Sequence, residues 1–344
     1  MLKYLLLPFS LIYGAVLSLR HFLYDTGILR SIGFDIPVIV VGNLSVGGTG
    51  KSPMTMYLAN LLKQFHPALL SRGYGRSTKG FMEVNAEFNY TRVGDEPLMF
   101  KFLYPELDVF VCEDRPKGIE EISKLNRTNG LVLLDDAFQH RGLKPGFSIL
   151  LFDYKSLVDG DYLLPAGRRR DLWNRRHAAD VIVITRSPQK ADNDLRKLFS
   201  GKQVFFSRYA KTLYRNIEGT WMQPEDLNGK KIYLLTGIAS PEGLINYYNK
   251  IGSKVMHDRF PDHHSFTEKD VNKIKENMVM FAGSDTRYIT TTKDFMRLKD
   301  LLEPDLLRQW FFAEPVVEID DEQEFKKTIL NYVSTGNRNS SLHS

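Results

Sequence analysis

The sequence predicts an α/β fold in which a mostly parallel sheet carries helices on both of its faces. Short apolar runs rich in β-branched residues recur along the first half of the chain, and polar or helical segments separate most of them. A glycine-rich turn joins the first run to a segment with helical spacing of its apolar residues, which is a βα unit. The predicted strands of this series are residues 36–43, 68–71, 108–112, 131–134, 147–152 and 180–185.

Composition places the chain among ordinary globular proteins. It has 344 residues, of which 43% are hydrophobic and 25% charged, enough for about two domains. The net charge is +5, which is too small to indicate a nucleic-acid partner. A monomer is the expected oligomeric state. The single cysteine, Cys112, excludes a disulfide within the chain and a cysteine-based zinc site, and it favours a reducing compartment.

The amino terminus predicts a helix that associates with a membrane. Residues 4–19 carry no charge and lie between Lys3 and Arg20. Sixteen helical residues reach about 24 Å, whereas the apolar part of a bilayer is about 30 Å thick. This length favours a helix that lies in one leaflet. A signal peptide and a buried helix of a soluble fold are the alternatives.

The strongest local signal is the turn between the first strand and its helix, residues 42–52, GNLSVGGTGKS. Its glycines allow backbone N–H groups to converge on phosphate oxygens, Lys51 would reach the β- and γ-phosphates of ATP, and the Ser52 hydroxyl would bind Mg²⁺. Ser45 departs from the strict P-loop pattern, which has glycine there. The predicted ATP-binding residues are Ser45, Val46, Gly47, Gly48, Thr49, Gly50, Lys51 and Ser52.

An acidic pair, Asp135 and Asp136, follows the apolar run 131–134. This is the Walker B pattern, which brings a carboxylate close to hydrated magnesium at the phosphate loop. An aspartate that caps a helix after a strand is the alternative. Together with the glycine-rich loop, the pair favours a P-loop NTPase-like core.

A second strand–helix series begins near residue 231, with predicted strands at 232–237, 287–291 and 310–319. Residues 201–225 are mixed and polar, so the seam between domains is expected there. We therefore predict three segments: an amino-terminal membrane-associated helix (1–30), a P-loop kinase core (31–215) and a smaller α/β domain that closes over the active site (216–344).

Three classes of P-loop protein compete. A GTPase switch requires a guanine-reading motif, and the nearest candidate, residues 291–294 (TTKD), lacks its asparagine and its spacing. A motor or nucleic-acid ATPase would be expected to have a larger basic surface. A small-molecule or lipid kinase remains the best interpretation.

Six motifs in one order resemble the tetraacyldisaccharide 4'-kinase family, the lipid A kinases of Gram-negative bacteria. They are residues 41–53 (VGNLSVGGTGKSP), 70–76 (LSRGYGR), 93–97 (VGDEP), 134–140 (LDDAFQH), 164–167 (LPAG) and 260–264 (FPDHH). Ser45 is shared with this family. Ala137 replaces a usual glycine, and Arg170 is followed by Asp171 and Leu172 where the family usually has Glu-Pro.

The resemblance implies transfer of the γ-phosphate of ATP, with Mg²⁺, to the 4'-hydroxyl of tetraacyldisaccharide 1-phosphate, which forms lipid IVA. An acylated acceptor stays in the membrane, so the enzyme is expected at the cytoplasmic face of the inner membrane as a peripheral or monotopic protein. The alternative is a P-loop GTPase, ATPase switch or chaperone that hydrolyses nucleotide without phosphorylating a lipid.

The resemblance also implies roles for residues that are far apart in sequence. It makes Asp95 catalytic and His263 the partner of Asp95, with His264 as second choice. Lys51 of the phosphate loop is the third residue expected to be catalytic. Asp95 and His263 meet only if the second domain closes on the first. The expected magnesium ligands are Ser52, Glu96 and Asp135, with Asp136 as second choice.

Basic residues supply the candidates for substrate binding. Arg72, Tyr74 and Arg76 follow a strand end and are expected to bind the sugar or a phosphate. Arg170 belongs to an arginine cluster at residues 168–176 that is expected to bind the substrate 1-phosphate or anionic headgroups. A solvated helix face is the alternative for this cluster.

Overall fold

One sheet runs through the computed structural model, which describes residues 2–125 and 127–340. Residues 1 and 341–344, at the ends of the first and last predicted segments, lie outside the described residues. The strands are β1 Val38–Asn43, β2 Pro67–Ser71, β3 Met82–Glu83, β4 Asp108–Val111, β5 Leu131–Asp135, β6 Phe147–Asp153, β7 Val181–Thr185, β8 Gln203–Arg215, β9 Trp221–Met222, β10 Lys231–Thr236, β11 Lys254–Arg259, β12 Thr286–Thr291 and β13 Trp310–Ile319.

Twelve α-helices accompany these strands in the described part of the chain. They are α1 Leu2–Leu5, α2 Leu7–Asp25, α3 Lys51–Leu61, α4 Tyr90–Val93, α5 Asp95–Leu103, α6 Arg115–Lys124, α7 Tyr154–Asp159, α8 Glu242–Lys250, α9 Glu268–Phe281, α10 Thr292–Leu298, α11 Pro304–Leu307 and α12 Glu322–Ser340. Short 3-10 helices lie at Lys63–Phe65, Trp173–Ala178, Asn193–Phe199 and Pro224–Leu227.

The strand order is β11-β10-β12-β13-β8-β7-β6-β1-β5-β2-β4-β3, with β9 paired to β8. The pairs from β8 through β4 are parallel, as are those from β11 through β13, while β3–β4, β8–β9 and β13–β8 are antiparallel. Alternate residues of β1 enter two different apolar cores, one containing Leu58 of α3 and the other Ile119 of α6. The predicted α/β class, with a mostly parallel sheet and helices on both faces, is confirmed.

The long strand β8 joins the two strand series. Residues 203–206 pair in parallel with β7, and residues 207–215 pair antiparallel with β13. In residues 201–225, where the composition predicts the seam between domains, the structure has this thirteen-residue strand. The first half of β8 is buried and the second half is half-exposed, so the sequence does not show one continuous strand pattern over residues 203–215. The strand ends at Arg215, the last residue of the predicted core segment.

The last helix, α12, returns to the first half of the chain. Its buried side chains Phe325, Ile329 and Val333 belong to the apolar core on the α3 side of the sheet. The hydroxyl of Tyr332 accepts a hydrogen bond of 3.0 Å from the backbone N–H of Val38 in β1. The two halves are therefore connected both through β8 and through α12.

The helix α2 presents apolar side chains to the outside. Phe9, Ile12, Val16 and Leu19 are each about 60% exposed or more, and their spacing of three and four residues places them along one stripe. On the opposite side Ser10 and His21 are buried, and the hydroxyl of Ser10 donates a hydrogen bond of 2.9 Å to the backbone oxygen of Leu163. No helix in the described part of the chain is long and apolar enough to cross a bilayer.

Candidate active site

The glycine-rich turn forms a loop between β1 and α3. Gly47 and Gly50 have φ angles of 92° and 83°, values that favour glycine over residues with a Cβ atom. The side-chain amide of Asn43 donates hydrogen bonds to the Ser45 carbonyl (2.6 Å) and to the Thr49 hydroxyl (2.7 Å). The side chain of Asn43, at the end of β1, therefore holds the loop in place. Helix α3 begins directly after the loop, at Lys51.

Residues 168–170 of the arginine cluster lie along this loop. The Arg170 N–H donates to the Leu44 carbonyl (2.7 Å), and the Val46 N–H donates to the Arg168 carbonyl (2.8 Å). The guanidinium of Arg170 also donates to the side-chain oxygen of Asn43 (2.7 Å). The structure therefore places Arg170 at the base of the phosphate loop.

Three of the four predicted magnesium ligands cluster at the start of α3. The Ser52 hydroxyl donates to Glu96 Oε1 (2.9 Å), and the Thr55 hydroxyl donates to Asp135 Oδ1 (3.1 Å). Asp135 is only 1% exposed. Its burial, and then the charges of Glu96 and Asp136, raise its pKa to about 7. Because the ionised form of Asp135 is disfavoured here, a cation bound beside it would stabilise that negative charge.

The donor set fits Mg²⁺ bound together with phosphate. Mg²⁺ usually takes one or two protein carboxylates and completes its shell with water and substrate phosphates. Within the described residues, no group of three or more histidine, cysteine, aspartate or glutamate side chains is arranged to hold a metal ion by itself. Ser52, Glu96 and Asp135 supply hard oxygen donors beside the phosphate loop, as this mode of binding requires.

Asp136, the second-choice magnesium ligand, holds two cations. Its carboxylate forms an ion pair with the Arg170 guanidinium and lies 3.7 Å from Lys51 Nζ. Burial opposes its ionisation, but the charges of Lys51 and Arg170 outweigh this effect and keep its pKa below the ordinary value. Lys51 also lies 3.4 Å from the side-chain oxygen of Asn43. Asp136 thus fixes Lys51 at the start of α3.

Asp95 and His263 meet in space. Asp95 begins α5 and is 4% exposed, and its Oδ2 lies 3.0 Å from Nδ1 of His263. They are 168 positions apart, so the two halves of the chain form one site. His264, the second choice, instead contacts Asp270 (3.1 Å).

Positive charge surrounds Asp95. Burial opposes its ionisation, but the hydrogen bond from His263 and the charges of Lys293 and Arg297 lower its pKa below the ordinary value. Lys293 Nζ lies 3.1 Å from Nε2 of His263 and 3.2 Å from Glu96 Oε1. The charges of Glu96 and Asp95 outweigh the burial of Lys293 and raise its pKa. Asp95 is therefore ionised and oriented in the resting site.

The residues of the predicted sugar site take different positions. Tyr74 is exposed, and its ring meets the His263 ring edge to face, with centroids 5.3 Å apart. Arg72 is exposed in the same loop after β2. Arg76 is bound by the carboxylate of Glu113 and donates to the Gly80 carbonyl (2.6 Å). Tyr74 and Arg72 are thus accessible to a ligand, whereas the Arg76 guanidinium already binds Glu113 and Gly80.

Sequence reasoning missed four polar residues of this site. Asn43 and Gln139 lie inside quoted motifs, and the Gln139 amide donates to the Asn43 carbonyl (2.7 Å). Lys293 lies in the TTKD segment, which in sequence resembles only a poor guanine-reading motif. Arg297, whose NH1 is 3.8 Å from Asp95 Oδ2, lies in no motif. A polar residue at or shortly after the end of a strand was the available signal, because Asn43 ends β1 and Lys293 lies two positions after β12.

The arrangement can perform phosphoryl transfer to a hydroxyl. A loop of backbone amides and Lys51 face the place where a triphosphate would bind, and oxygen donors for a metal adjoin it. An oriented carboxylate, Asp95, lies next to those donors through its neighbour Glu96, whose N–H donates to Asp95 Oδ1 (2.9 Å). A carboxylate in this position can accept the proton of an attacking hydroxyl.

Comparisons with known proteins agree with this geometry. The family model described as tetraacyldisaccharide-1-P 4'-kinase matches residues 2–334. A tetraacyldisaccharide 4'-kinase of Bacteroides thetaiotaomicron is 37% identical over 98% of this chain and 95% of its own length. One from Phocaeicola vulgatus is 38% identical over 98% of this chain and 97% of its own length.

A solved structure shares the architecture. The crystal structure of LpxK from Aquifex aeolicus, in complex with ATP, superposes with a TM-score of 0.77 at 31% identity. The match covers 97% of this chain and all of that one. The chain therefore belongs to the tetraacyldisaccharide-1-phosphate 4'-kinase family.

Proposed function

We propose that this chain transfers the γ-phosphate of ATP to the 4'-hydroxyl of tetraacyldisaccharide 1-phosphate and so forms lipid IVA in lipid A biosynthesis. The single observation that carries the proposal is the 3.0 Å contact between Asp95 and His263. It places an oriented base next to Glu96, which in turn contacts Ser52 of the phosphate loop (2.9 Å). A protein that only hydrolyses nucleotide does not need a histidine from the second half of the chain beside its catalytic carboxylate, whereas here His263 takes that position.

The roles of the residues follow from their positions. Asp95 accepts the proton of the 4'-hydroxyl as its oxygen attacks the γ-phosphorus, the bond to the β-phosphate oxygen breaks, and ADP leaves. His263 orients Asp95. Lys51 and the amides of residues 45–50 stabilise charge on the phosphates. Ser52, Glu96 and Asp135 would hold Mg²⁺, which when bound neutralises charge on the β- and γ-phosphate oxygens.

The exposed surface near the Asp95–His263 pair is proposed to bind the acceptor. Arg72 and Tyr74 are accessible beside His263 and are proposed to bind the sugar or its phosphate. Arg170 is proposed to act through the phosphate loop, because its guanidinium binds Asp136 and Asn43. In this proposal the segment 216–344 forms the wall of the active-site cleft opposite the P-loop core.

A product assay tests the proposal directly. Purified chain is incubated with γ-labelled ATP, Mg²⁺ and a monophosphorylated tetraacyl disaccharide, and the organic extract is analysed for a bis-phosphorylated lipid. The proposal predicts labelled lipid that depends on the acceptor. Release of labelled inorganic phosphate without labelled lipid would favour the nucleotide switch or chaperone instead.

We also propose that α2 places the enzyme on the cytoplasmic face of the inner membrane as a peripheral or monotopic protein. The outward apolar stripe of α2 supports this location, because a large exposed apolar patch typically marks an interaction surface. The opposite side of α2 is joined to the site: the Tyr13 hydroxyl donates to the Arg170 carbonyl (2.9 Å). The helix can therefore bring the phosphate loop to an acceptor held in the bilayer.

Replacing Ile12 and Val16 with lysine is expected to release the protein from phospholipid vesicles. Burying one such side chain is worth roughly 1.5–3 kcal/mol, so each replacement should weaken partitioning by about 10-fold or more. Co-sedimentation with vesicles measures the change. The matched control replaces Val279 and Met280, which are apolar residues on α9 and are more exposed than Ile12 and Val16. Equal binding of the α2 variant and wild type would remove α2 from the membrane role.

A further inference from the structure

In sequence, the segment TTKD at residues 291–294 is a poor match to a guanine-reading motif. In the structure it joins β12 to α10. The Thr291 hydroxyl accepts a hydrogen bond from the Asp294 N–H (3.1 Å) and so caps α10. This cap places Lys293 in the first turn of α10, beside the Asp95–His263 pair.

Lys293 contacts both groups that flank Asp95. Its Nζ lies 3.1 Å from Nε2 of His263 and 3.2 Å from Oε1 of Glu96. A lysine ammonium carries three hydrogen-bond donors and no acceptor. The nitrogen that receives such a donor bears no hydrogen, so the single ring hydrogen of His263 lies on Nδ1, toward Asp95 Oδ2.

We propose that Lys293 is a positioning residue that keeps Nε2 of His263 unprotonated and thereby holds the ring hydrogen on Nδ1 against Asp95. This inference deepens the proposed kinase function and rests on it for its kinetic consequence. The contact with Glu96 anchors the ammonium from the other side. Lys293 acts through His263 and Glu96, and no contact with the substrate is assigned to it.

The arrangement has a consequence for the base. With the hydrogen on Nδ1, the imidazole donates to Oδ2 of Asp95 and fixes the direction of that carboxylate. With the hydrogen on Nε2 alone, Nδ1 would turn a lone pair toward the carboxylate and the hydrogen bond would be lost. The charge of Lys293 itself lowers the pKa of Asp95, so the contribution assigned to Lys293 is the orientation of Asp95 through His263.

The location of the hydrogen can be measured without turnover. The chain has 8 histidines. With ¹⁵N-labelled histidine, the signals that disappear in His263→Ala identify those of His263. A ring nitrogen without hydrogen resonates well away from one that carries hydrogen. We expect Nε2 of His263 to be unprotonated in the wild type at neutral pH, and to shift toward the protonated position in Lys293→Met.

Steady-state kinetics provide the second test of the role of Lys293. Lys293→Met should lower kcat by about 10- to 100-fold, the range for losing a partner that orients a directly acting group, with little change in KM for ATP. Lys293→Arg retains a cationic donor and should lose less. Lys299→Met is the matched control, since Lys299 directly follows the last residue of the same helix and contacts Asp300 (3.5 Å). This control should keep wild-type kcat.

Two results would overturn the inference. One is a protonated Nε2 in the wild type, and the other is an unchanged Nε2 signal in Lys293→Met. Failure of the kinase proposal looks different, because the wild-type chain would then form no bis-phosphorylated lipid while the histidine signals still report the hydrogen position.

Discussion

Replacing Asp95 with alanine is expected to lower kcat by about 10²–10⁴-fold, the range for losing a general base. The side chain is buried next to His263, and no other carboxylate lies within hydrogen-bond distance of His263 in the described part of the chain. KM for ATP should change little, because Asp95 contacts the phosphate-loop side only through Glu96. Steady-state assays with the lipid acceptor measure both parameters.

A second variant separates chemistry from folding. Asp95→Asn keeps the shape of the side chain and an oxygen that can accept the Glu96 N–H, but it removes the base. It should lose activity as alanine does. Asp192→Asn is the matched control, since Asp192 caps a surface 3-10 helix by accepting the Asp194 N–H (2.9 Å). Near-normal turnover of both Asp95 variants would remove Asp95 from its proposed role.

Replacing Lys51 with alanine is expected to lower kcat by about 10²–10³-fold or more through lost stabilisation of charge on the transferring phosphate. Asn43 and Asp136 hold its ammonium at the start of α3, at 3.4 Å and 3.7 Å. Unlike Asp95→Ala, this change should also weaken the binding of ATP, which titration of the nucleotide measures.

The structure provides a control for this substitution. Lys63 is exposed in the 3-10 helix that follows α3, so Lys63→Ala should keep wild-type kcat and ATP affinity. If Lys51→Ala bound and transferred phosphate as the wild type does, the loop at residues 42–52 would have no part in the reaction.

Local sequence rules predicted the elements that surround the phosphate loop. The strands β1, β5 and β6 are buried, uncharged runs that end in polar residues, and the turn before α3 needs glycine at Gly47 and Gly50. Such features depend on residues close in sequence. The Asp95–His263 contact was expected from a family resemblance, because no spacing rule connects residues in different halves of a chain.

The remaining features depend on tertiary contacts that the sequence does not display. Strand β8 changes partners along its length, so neither half shows a complete strand pattern. Arg170 resembles an exposed phosphate binder in sequence, yet its guanidinium binds Asp136 and Asn43. Lys293 became recognisable only when the fold placed it between His263 and Glu96.

The central claim is that Asp95 and His263, from the two halves of the chain, act as one catalytic unit. The most direct test is a double-mutant cycle in kcat with Asp95→Asn, His263→Ala and the double variant, each checked for native folding. If the two residues act together, the double variant should be no slower than the slower single variant by more than a small factor. If the loss of kcat in the double variant instead equals the product of the two single losses, Asp95 and His263 act independently, which would contradict the account.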